Sequence, residues 1–306
     1  MAFVGTGSTV FRGTGLKKDV MDWLLRLRER MWGTAPWDAS HITDEWFRAH
    51  FGYAADVVHQ WVGDRLDVSQ AKLLNFGCGD GITDLALVLR HGATAIHGVD
   101  IRREYAKLPR IAREQLGMER IPTALTFETI EPSSPLAARH AGVDGILSWS
   151  TFEHVQRDQL LPILRDLHAC LRPGGVFFLQ IEPLFYSPFG SHLRRYIDTP
   201  WHHLLMSEDE LWHRIEEHQG PLDAAEVDFG FADFGVDGYK RFVFKEYQAL
   251  NRLTADELVE ILQQAGFELL RQERRMVEES VPQELLAQYP QEWLGNNEIL
   301  LLLGKQ

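Results

Sequence analysis

Three glycines at alternate positions, Gly77, Gly79 and Gly81, interrupt the stretch KLLNFGCGDGITDLA (72–86), and Asp100 closes a second apolar stretch, AIHGVDI, roughly twenty residues later. A glycine turn between a strand and a helix lets backbone approach a ligand and aims a helix N-terminus at it, which suits a nucleotide, a phosphate or a sulfonium group. An aspartate at the end of the next strand can accept hydrogen bonds from both hydroxyls of a ribose. The dinucleotide turn Gly-x-Gly-x-x-Gly is not met, because its third glycine falls one residue early, at Gly81 rather than at Ile82. The P-loop pattern fails as well, since no Gly-Lys-Ser/Thr follows. Further on, STFEHV sets Glu153 beside His154, a pair able to move a proton or begin a metal site. The stretch PLFYSPFGSHLRRYIDTPWHHLL (183–205) gathers Tyr186, His192, Arg194, Arg195, Tyr196, Trp201, His202 and His203. Aromatic faces flanked by His and Arg suit a sugar ring or a flat phenol.

An alternation of strand and helix patterns has to position these residues. Strands are predicted at AKLLNFG (71–77), AIHGVDI (95–101), TALTFETI (123–130), VDGILSWS (143–150) and VFFLQIEP (176–183). Between them run helical patterns: ITDLALVLRHG, then REYAKLPRIAREQLG, which Pro109 interrupts, and RDQLLPILRDLHACLRPGG, closed by Pro-Gly-Gly. Strands alternating with helices predict a parallel sheet covered on both faces. Upstream, LKKDVMDWLLRLRERM (16–31) places Leu16, Val20, Trp23, Leu24, Leu27 and Met31 on one helical face, with Lys and Arg outnumbering acids on the other. It reads as a helix packed on the main domain, and a basic amphipathic helix can also touch a membrane surface. A second helix is predicted over 43–62, stopped near Gly63. Downstream, SEDELWHRIEEHQGP and LTADELVEILQQAG share one grammar: a capping box (Ser207 with Glu210, Thr254 with Glu257) and a glycine stop. FELLRQERR and EILLLLGK read as two closing strands.

With 45% apolar and 25% charged residues, the composition is that of a globular protein. A net charge of -13 argues against broad binding to nucleic-acid backbone, which needs a concentrated basic surface. Cys78 and Cys170 are far apart and lack metal-type spacing, so the expected compartment is a reducing cytoplasm. The N-terminus lacks a basic region followed by a long apolar core and does not read as a signal peptide. EILLLL is too short to span a bilayer.

Together, LLNFGCGDG, IHGVDI, DGILSWSTFEHV and LRPGGVFFLQ resemble, in order and at normal spacing, the four signature segments of class I S-adenosylmethionine-dependent methyltransferases of the type 11/23 kind, over residues 71–182. The closing segments resemble that family's last helix and antiparallel strand pair. The resemblance implies an α/β, Rossmann-like, mostly parallel seven-stranded sheet with an antiparallel last strand and helices on both faces. An N-terminal helical extension (1–70) would cap a cofactor-binding core (71–183), with an inserted substrate lid (184–250) and a C-terminal completion of the core (251–306). It further implies that Gly77, Cys78 and Gly79 line the methionine portion of S-adenosylmethionine, beside Gly81 in the same turn. Asp100 would hold the ribose and Ile101 would lie against the adenine. Glu128 would sit near the adenine amino group, with Thr129 or Ile130 completing that wall. Ser148 and Trp149 would leave the fourth strand beside the sulfonium, where an aromatic face is favourable, although Trp149 reads equally well as packing. Asn75 stands where the family often has an acid that helps hold the amino-acid end of the cofactor; an amide there can still accept a hydrogen bond.

Methyl transfer is an in-line displacement in which the cofactor carries the activated group, and the protein aligns the acceptor and excludes water. A hydroxyl acceptor needs a base or a metal to take its proton; a carboxylate needs neither. In some O-methyltransferases, including those of quinone biosynthesis and small-RNA end methylation, a Glu-x-x-Glu-His run at this place binds a divalent metal. Here Ser150 replaces the first glutamate, so a metal at Glu153 and His154 stays open, to be completed by His202 or His203. The residues expected to act on the reaction are Glu153, His154, His202 and His203. Those expected to contact the acceptor are Tyr186, His192, Arg195, Tyr196 and Trp201. The resulting reading is methylation of an oxygen on a small molecule or glycan, releasing S-adenosylhomocysteine; the insert is similar to that of methyltransferases of bacterial cell-surface polysaccharides. N-methylation of an amine or protein side chain is one alternative. A non-catalytic cofactor-binding subunit is another, motivated by Asn75 and the missing glutamate. No nucleic-acid partner is expected, and the oligomeric state is not legible.

Overall fold

A continuous apolar run favours a strand buried on both faces, and LLNF of the first predicted strand is buried throughout in the computed structural model, which describes residues 42–222 and 234–306. The N-terminal glycine-rich stretch and the expected helix 16–31 lie outside the described residues. Asp44 caps α1 (Glu45–Arg48) by accepting from the Phe47 N–H at 2.8 Å. A π-helical stretch (Ala49–Ala54) then leads into α2 (Ala55–Val62), which stops at Gly63. The core alternates β1 (Lys72–Phe76), α3 (Ile82–His91), β2 (Ala95–Asp100), α4 (Leu108–Leu116), β3 (Leu125–Thr129), the short α5 (Ala137–His140), β4 (Val143–Trp149), α6 (Arg157–Cys170) and β5 (Leu171–Ile181). The insert holds α7 (His202–Leu205), α8 (Glu208–Glu217) and α9 (Gly235–Ala249). The chain closes with α10 (Ala255–Gln264), β6 (Glu268–Met276), α11 (Gln283–Leu286), α12 (Gln291–Gly295) and β7 (Asn296–Gly304).

The sheet runs β3-β2-β1-β4-β5-β7-β6, with β1 to β5 parallel and β7 antiparallel to both neighbours. This is the Rossmann-like order with its last strand reversed. One apolar layer joins α1, α2 and α3 to the sheet through Phe47, Trp61, Leu85 and Phe178; the other joins α6 and α10 to it through Leu160, Leu164, Leu258 and Phe177. The insert packs around a small core of its own, built on Phe185, Leu193, Leu211, Ile215 and Tyr247. Both expected capping boxes form.

Three local differences have physical reasons. Pro109 separates a 3-10 turn (Glu104–Lys107) from α4, where it occupies the first helical turn and needs no hydrogen-bond donor. The helix expected to end at Pro-Gly-Gly stops at Cys170, because Leu171 already pairs with Val143 and the proline and glycines form an irregular entry into β5. The helix α9 was not anticipated: its aromatic residues are spaced for the insert's own core, and a glycine-bearing sequence masks the period. No helix among the described residues is long and apolar enough to cross a membrane.

Candidate active site

All three glycines of the turn after β1 adopt positive φ: 77° at Gly77, 56° at Gly79 and 78° at Gly81. A Cβ on Gly77 would overlap the Thr151 side chain, and one on Gly81 would meet the Phe127 ring at 2.8 Å. At Gly79 a Cβ would face open space, so that glycine answers to conformation alone. The Gly77 and Cys78 N–H groups donate to the Val99 carbonyl, and the Gly79 N–H donates to Asp100 Oδ2 at 2.9 Å. Asp100 Oδ1 accepts from the Arg102 N–H at 2.8 Å, so the carboxylate is held at both oxygens where β2 ends. Asp80, which sequence reasoning passed over, accepts from the Ile82 N–H at 3.0 Å and from the Trp46 indole at 2.7 Å. It fastens the turn to the N-terminal helix.

Beside this turn opens a cleft of about 460 Å³, lined by Gly77, Asp100, Ile101, Thr151 and His154. Ile101 is 56% exposed there, an apolar face of the kind an adenine ring covers. The far wall is the segment running from Ile130 through Pro132, Ser133, Ser134 and Pro135 to Leu136, together with the start of α6. Of that wall only Ile130 was named; the Pro/Ser-rich loop EPSSP was the signal for the rest.

Several expected cofactor contacts point elsewhere. Strand alternation turns Asn75 toward α3, where its amide donates to Asp84 Oδ1 at 2.7 Å in a fully buried pair. Asp84 is thus a fully buried carboxyl beneath the turn, and burial pushes it up to about 7 against the pull of the Asn75 hydrogen bond. Cys78 is buried against Gly98, leaving only its backbone near the turn's surface. Ser148 is buried and donates to the Phe76 carbonyl at 2.9 Å, stitching β4 to β1. Trp149 packs on Phe178 and edge-on to Tyr53, away from the cleft lining. Thr129 shares a 2.6 Å hydrogen bond with the Tyr105 hydroxyl. Glu128 does not face the cleft at all: its carboxylate is engaged by Arg139, His97 and His140.

The Glu-His pair lies on a 3-10 turn (Phe152–His154) that Asn251 clamps, donating from its amide to the Phe152 and Val155 carbonyls at 2.6 and 3.0 Å and from its backbone to that of Glu153. His154 reaches the cleft, with the ring of His192 5.2 Å away. Glu153 is buried, and neither carboxylate oxygen has a hydrogen-bond partner. The ligating atoms of Glu153, His154 and His192 lie within 4.8 Å of one another. The third member expected here, His202 or His203, is replaced by His192. Burial sets the protonation of this group: it raises the Glu153 carboxyl to about 8, lowers His154, and lowers His192 to about 3.

The paired histidines of the insert are structural. His202 is bonded to Ser191 Oγ at 2.6 Å and to the Thr199 carbonyl at 2.8 Å, and His203 donates to the Phe185 carbonyl at 2.6 Å, both in the buried interior. Trp201, expected at the acceptor, is 1% exposed, with its indole donating to the Tyr186 and Leu294 carbonyls. Tyr186 packs among Phe185, Tyr289 and Trp293, and Arg195 reaches the Pro221 carbonyl with Tyr196 against His218. From the insert, Phe189 and Arg194, neighbours of His192, reach an open cavity together with Pro188. They line a second cavity, about 510 Å³, beyond the end of β5, with Tyr53, Glu182, Arg275 and Glu298. Arg275 bridges Glu298 at 2.9 Å and bonds the Tyr53 hydroxyl, tying the rim of this cavity to the sheet and to the N-terminal helix.

A glycine turn, a strand-end aspartate, an open cleft and this strand order together define a class I methyltransferase fold. The chain belongs to the methyltransferase domain family, whose model matches residues 46–272, and is a class I S-adenosylmethionine-dependent methyltransferase in fold and cofactor motif. Among curated proteins, it is 29% identical over 123 residues to the ubiquinone biosynthesis O-methyltransferase of Pseudomonas putida (strain W619), covering 40% of this chain and 49% of that protein. The corresponding Xanthomonas axonopodis pv. citri (strain 306) protein is 28% identical over 122 residues, covering 40% and 47%. The match thus spans about half the length of these relatives. Among solved structures, an S-adenosylmethionine dependent methyltransferase from Mesorhizobium loti aligns at a TM-score of 0.46 with 16% identity, covering 82% of this chain and 100% of that one. PKMT2 from Rickettsia typhi, in complex with AdoHcy, aligns at 0.49 with 16% identity, covering 82% and 52%.

Proposed function

We propose that the protein transfers the methyl group of S-adenosylmethionine to an oxygen of a small molecule or glycan. The observation that carries this reading is a cofactor-type cleft, built on Gly77 and Asp100, that His154 also lines, with the ring of His192 5.2 Å behind it. At neutral pH the buried Glu153 retains its proton, whereas His154 and His192 are neutral. His154 is therefore the group able to take the acceptor's proton, and Glu153 positions rather than abstracts. The cavity lined by Phe189, Arg194 and Arg275 offers aromatic and cationic contacts to a polar acceptor. The curated relatives are named as O-methyltransferases, which favours oxygen over nitrogen as the accepting atom. Cytoplasmic placement fits the two buried free thiols, Cys78 and Cys170.

The same three side chains fit a divalent metal: Glu153 offers a carboxyl without partners, which would give up its proton to the ion, and His154 and His192 offer neutral imidazoles. A metal held by them would lower the pKa of an acceptor hydroxyl. With or without it, the chain's own task is to hold the acceptor oxygen beside His154 and to keep water out.

Calorimetry on the folded protein should detect binding of S-adenosylhomocysteine. Asp100→Ala should weaken it about 10–100-fold, the loss of one or two charge-assisted hydrogen bonds. Unchanged affinity in that variant would refute the ribose assignment. Methyl acceptance from a panel of phenols, sugars and amines then separates oxygen from nitrogen chemistry.

A further inference from the structure

Outside the cleft, three ligand-type side chains converge on one point between β2, the edge strand β3 and α5. His97 on β2, Glu128 on β3 and His140 at the end of α5 place their ligating atoms within 4.8 Å of one another. His97 Nε2 lies 3.4 Å and His140 Nε2 3.2 Å from the same oxygen, Glu128 Oε2. The two imidazoles stack, with ring centroids 4.5 Å apart.

The hydrogen-bond directions show what the cluster lacks. Thr126 Oγ1 lies 2.7 Å from His97 Nδ1 and 3.4 Å from the Ile96 carbonyl; when the hydroxyl proton is given to Ile96, the ring donates from Nδ1. With its proton on Nδ1, neutral His97 presents a bare lone pair at Nε2. That nitrogen is buried and makes no hydrogen bond, yet it faces a carboxylate oxygen. Arg139 binds the other carboxylate oxygen, Oε1, at 3.0 Å. His140 Nε2 meets the same Glu128 oxygen, so two imidazole nitrogens and one carboxylate point at a single spot that a cation would fill.

We propose that His97, Glu128 and His140 form a divalent cation site, with Zn²⁺ the ion it fits best, independent of the methyl-transfer reading. Two imidazoles and a carboxylate are a zinc-type donor set, whereas magnesium and calcium prefer oxygen ligands alone. Tetrahedral zinc with bonds of about 2.0–2.1 Å holds neighbouring ligand atoms about 3.3–3.4 Å apart, close to the two distances seen here. Thr126 and Arg139 are the outer partners that orient such ligands. The ion ties α5 to β2 and β3, and α5 leads directly out of the segment that walls the cofactor cleft.

The test is calorimetric titration of tag-free, chelator-treated full-length protein with ZnCl₂ alone. The Glu153→Gln/His192→Gln background removes the cleft's own metal-type group, so any remaining site is read by itself. In that background micromolar binding of a single equivalent is expected. Adding His140→Gln, a change at the end of a short helix, should weaken it at least tenfold, and Thr126→Val about 10–100-fold. A Co²⁺ titration of the same background provides a second reading: intense visible bands of a low-coordinate site should appear and be lost with His140→Gln. Absence of Zn²⁺ binding in the folded background, or binding unaffected by both His140→Gln and Thr126→Val, would overturn the proposal.

Discussion

Among the imidazoles of the site region, His154 is the one that lines the cofactor cleft, and the proposed function assigns it the role of base. His154→Gln should reduce methyl transfer about 10²–10⁴-fold, the usual worth of a positioned proton acceptor. Affinity for S-adenosylhomocysteine should stay within experimental scatter, because His154 is proposed to meet the acceptor and not the cofactor. A parallel loss of cofactor affinity would place His154 in the wrong role. The types of these residues were legible in advance, but their directions were not. His154 and His203 have the same chemistry in a sequence; one ends in a cleft and the other donates to Phe185 inside the insert's core. A strand's two-residue period says that Asn75 and Phe76 face opposite ways, but which face meets the ligand depends on what packs against each. Glu128 illustrates the same point, being claimed by His97, His140 and Arg139 from segments far apart in the chain.

At the scale of elements, the turn between β1 and α3 carries the strictest local demand. Gly81 caps α3 in the left-handed region, and its missing side chain admits the Phe127 ring. Gly81→Ala combines backbone strain of about 1–3 kcal/mol with an overlap that β3 has to absorb. Urea denaturation should show a loss of that order, and an unchanged midpoint would mean that Phe127 moves freely. The core strands were recoverable from periodicity because their signals are local: buried runs, capping boxes and glycine stops. Helix α9 escaped because its apolar residues serve the core of the insert, whose partners lie in α8 and the loop after β5. The cofactor wall at 132–136 escaped for a related reason. A Pro/Ser loop has no period, and only its position against α6 makes it a wall.

For the whole molecule, buried ionisable groups shape the dependence of stability on pH. Folded Asp84 and Glu153 titrate near 7 and 8, well above their ordinary 3.8 and 4.5, so the folded chain keeps protons that the unfolded chain gives up. Each therefore lowers stability as pH climbs from its ordinary value to its folded value. The buried His203, at about 3 against an ordinary 6.5, acts oppositely, adding stability as pH rises toward 6.5 and nothing further above it. Between pH 6.5 and 8 the carboxyls act without that counterweight. Thermal denaturation should show the melting temperature falling across this interval, and Glu153→Gln should flatten the fall. A wild-type curve that is flat or rising there would contradict the burial of Glu153 without partners. One further feature spans the molecule. Trp46 stands half-exposed on the N-terminal helix, its ring 4.1 Å from that of His50 and its indole N–H on Asp80 of the glycine turn. Indole emission responds to neighbouring carboxylates and imidazoles, so the chain carries an intrinsic optical gauge of its donor pocket. Subtracting the spectrum of Trp46→Phe isolates that gauge from the other eight of the nine tryptophans, and rapid mixing can then time the arrival and departure of the methyl donor without an added label.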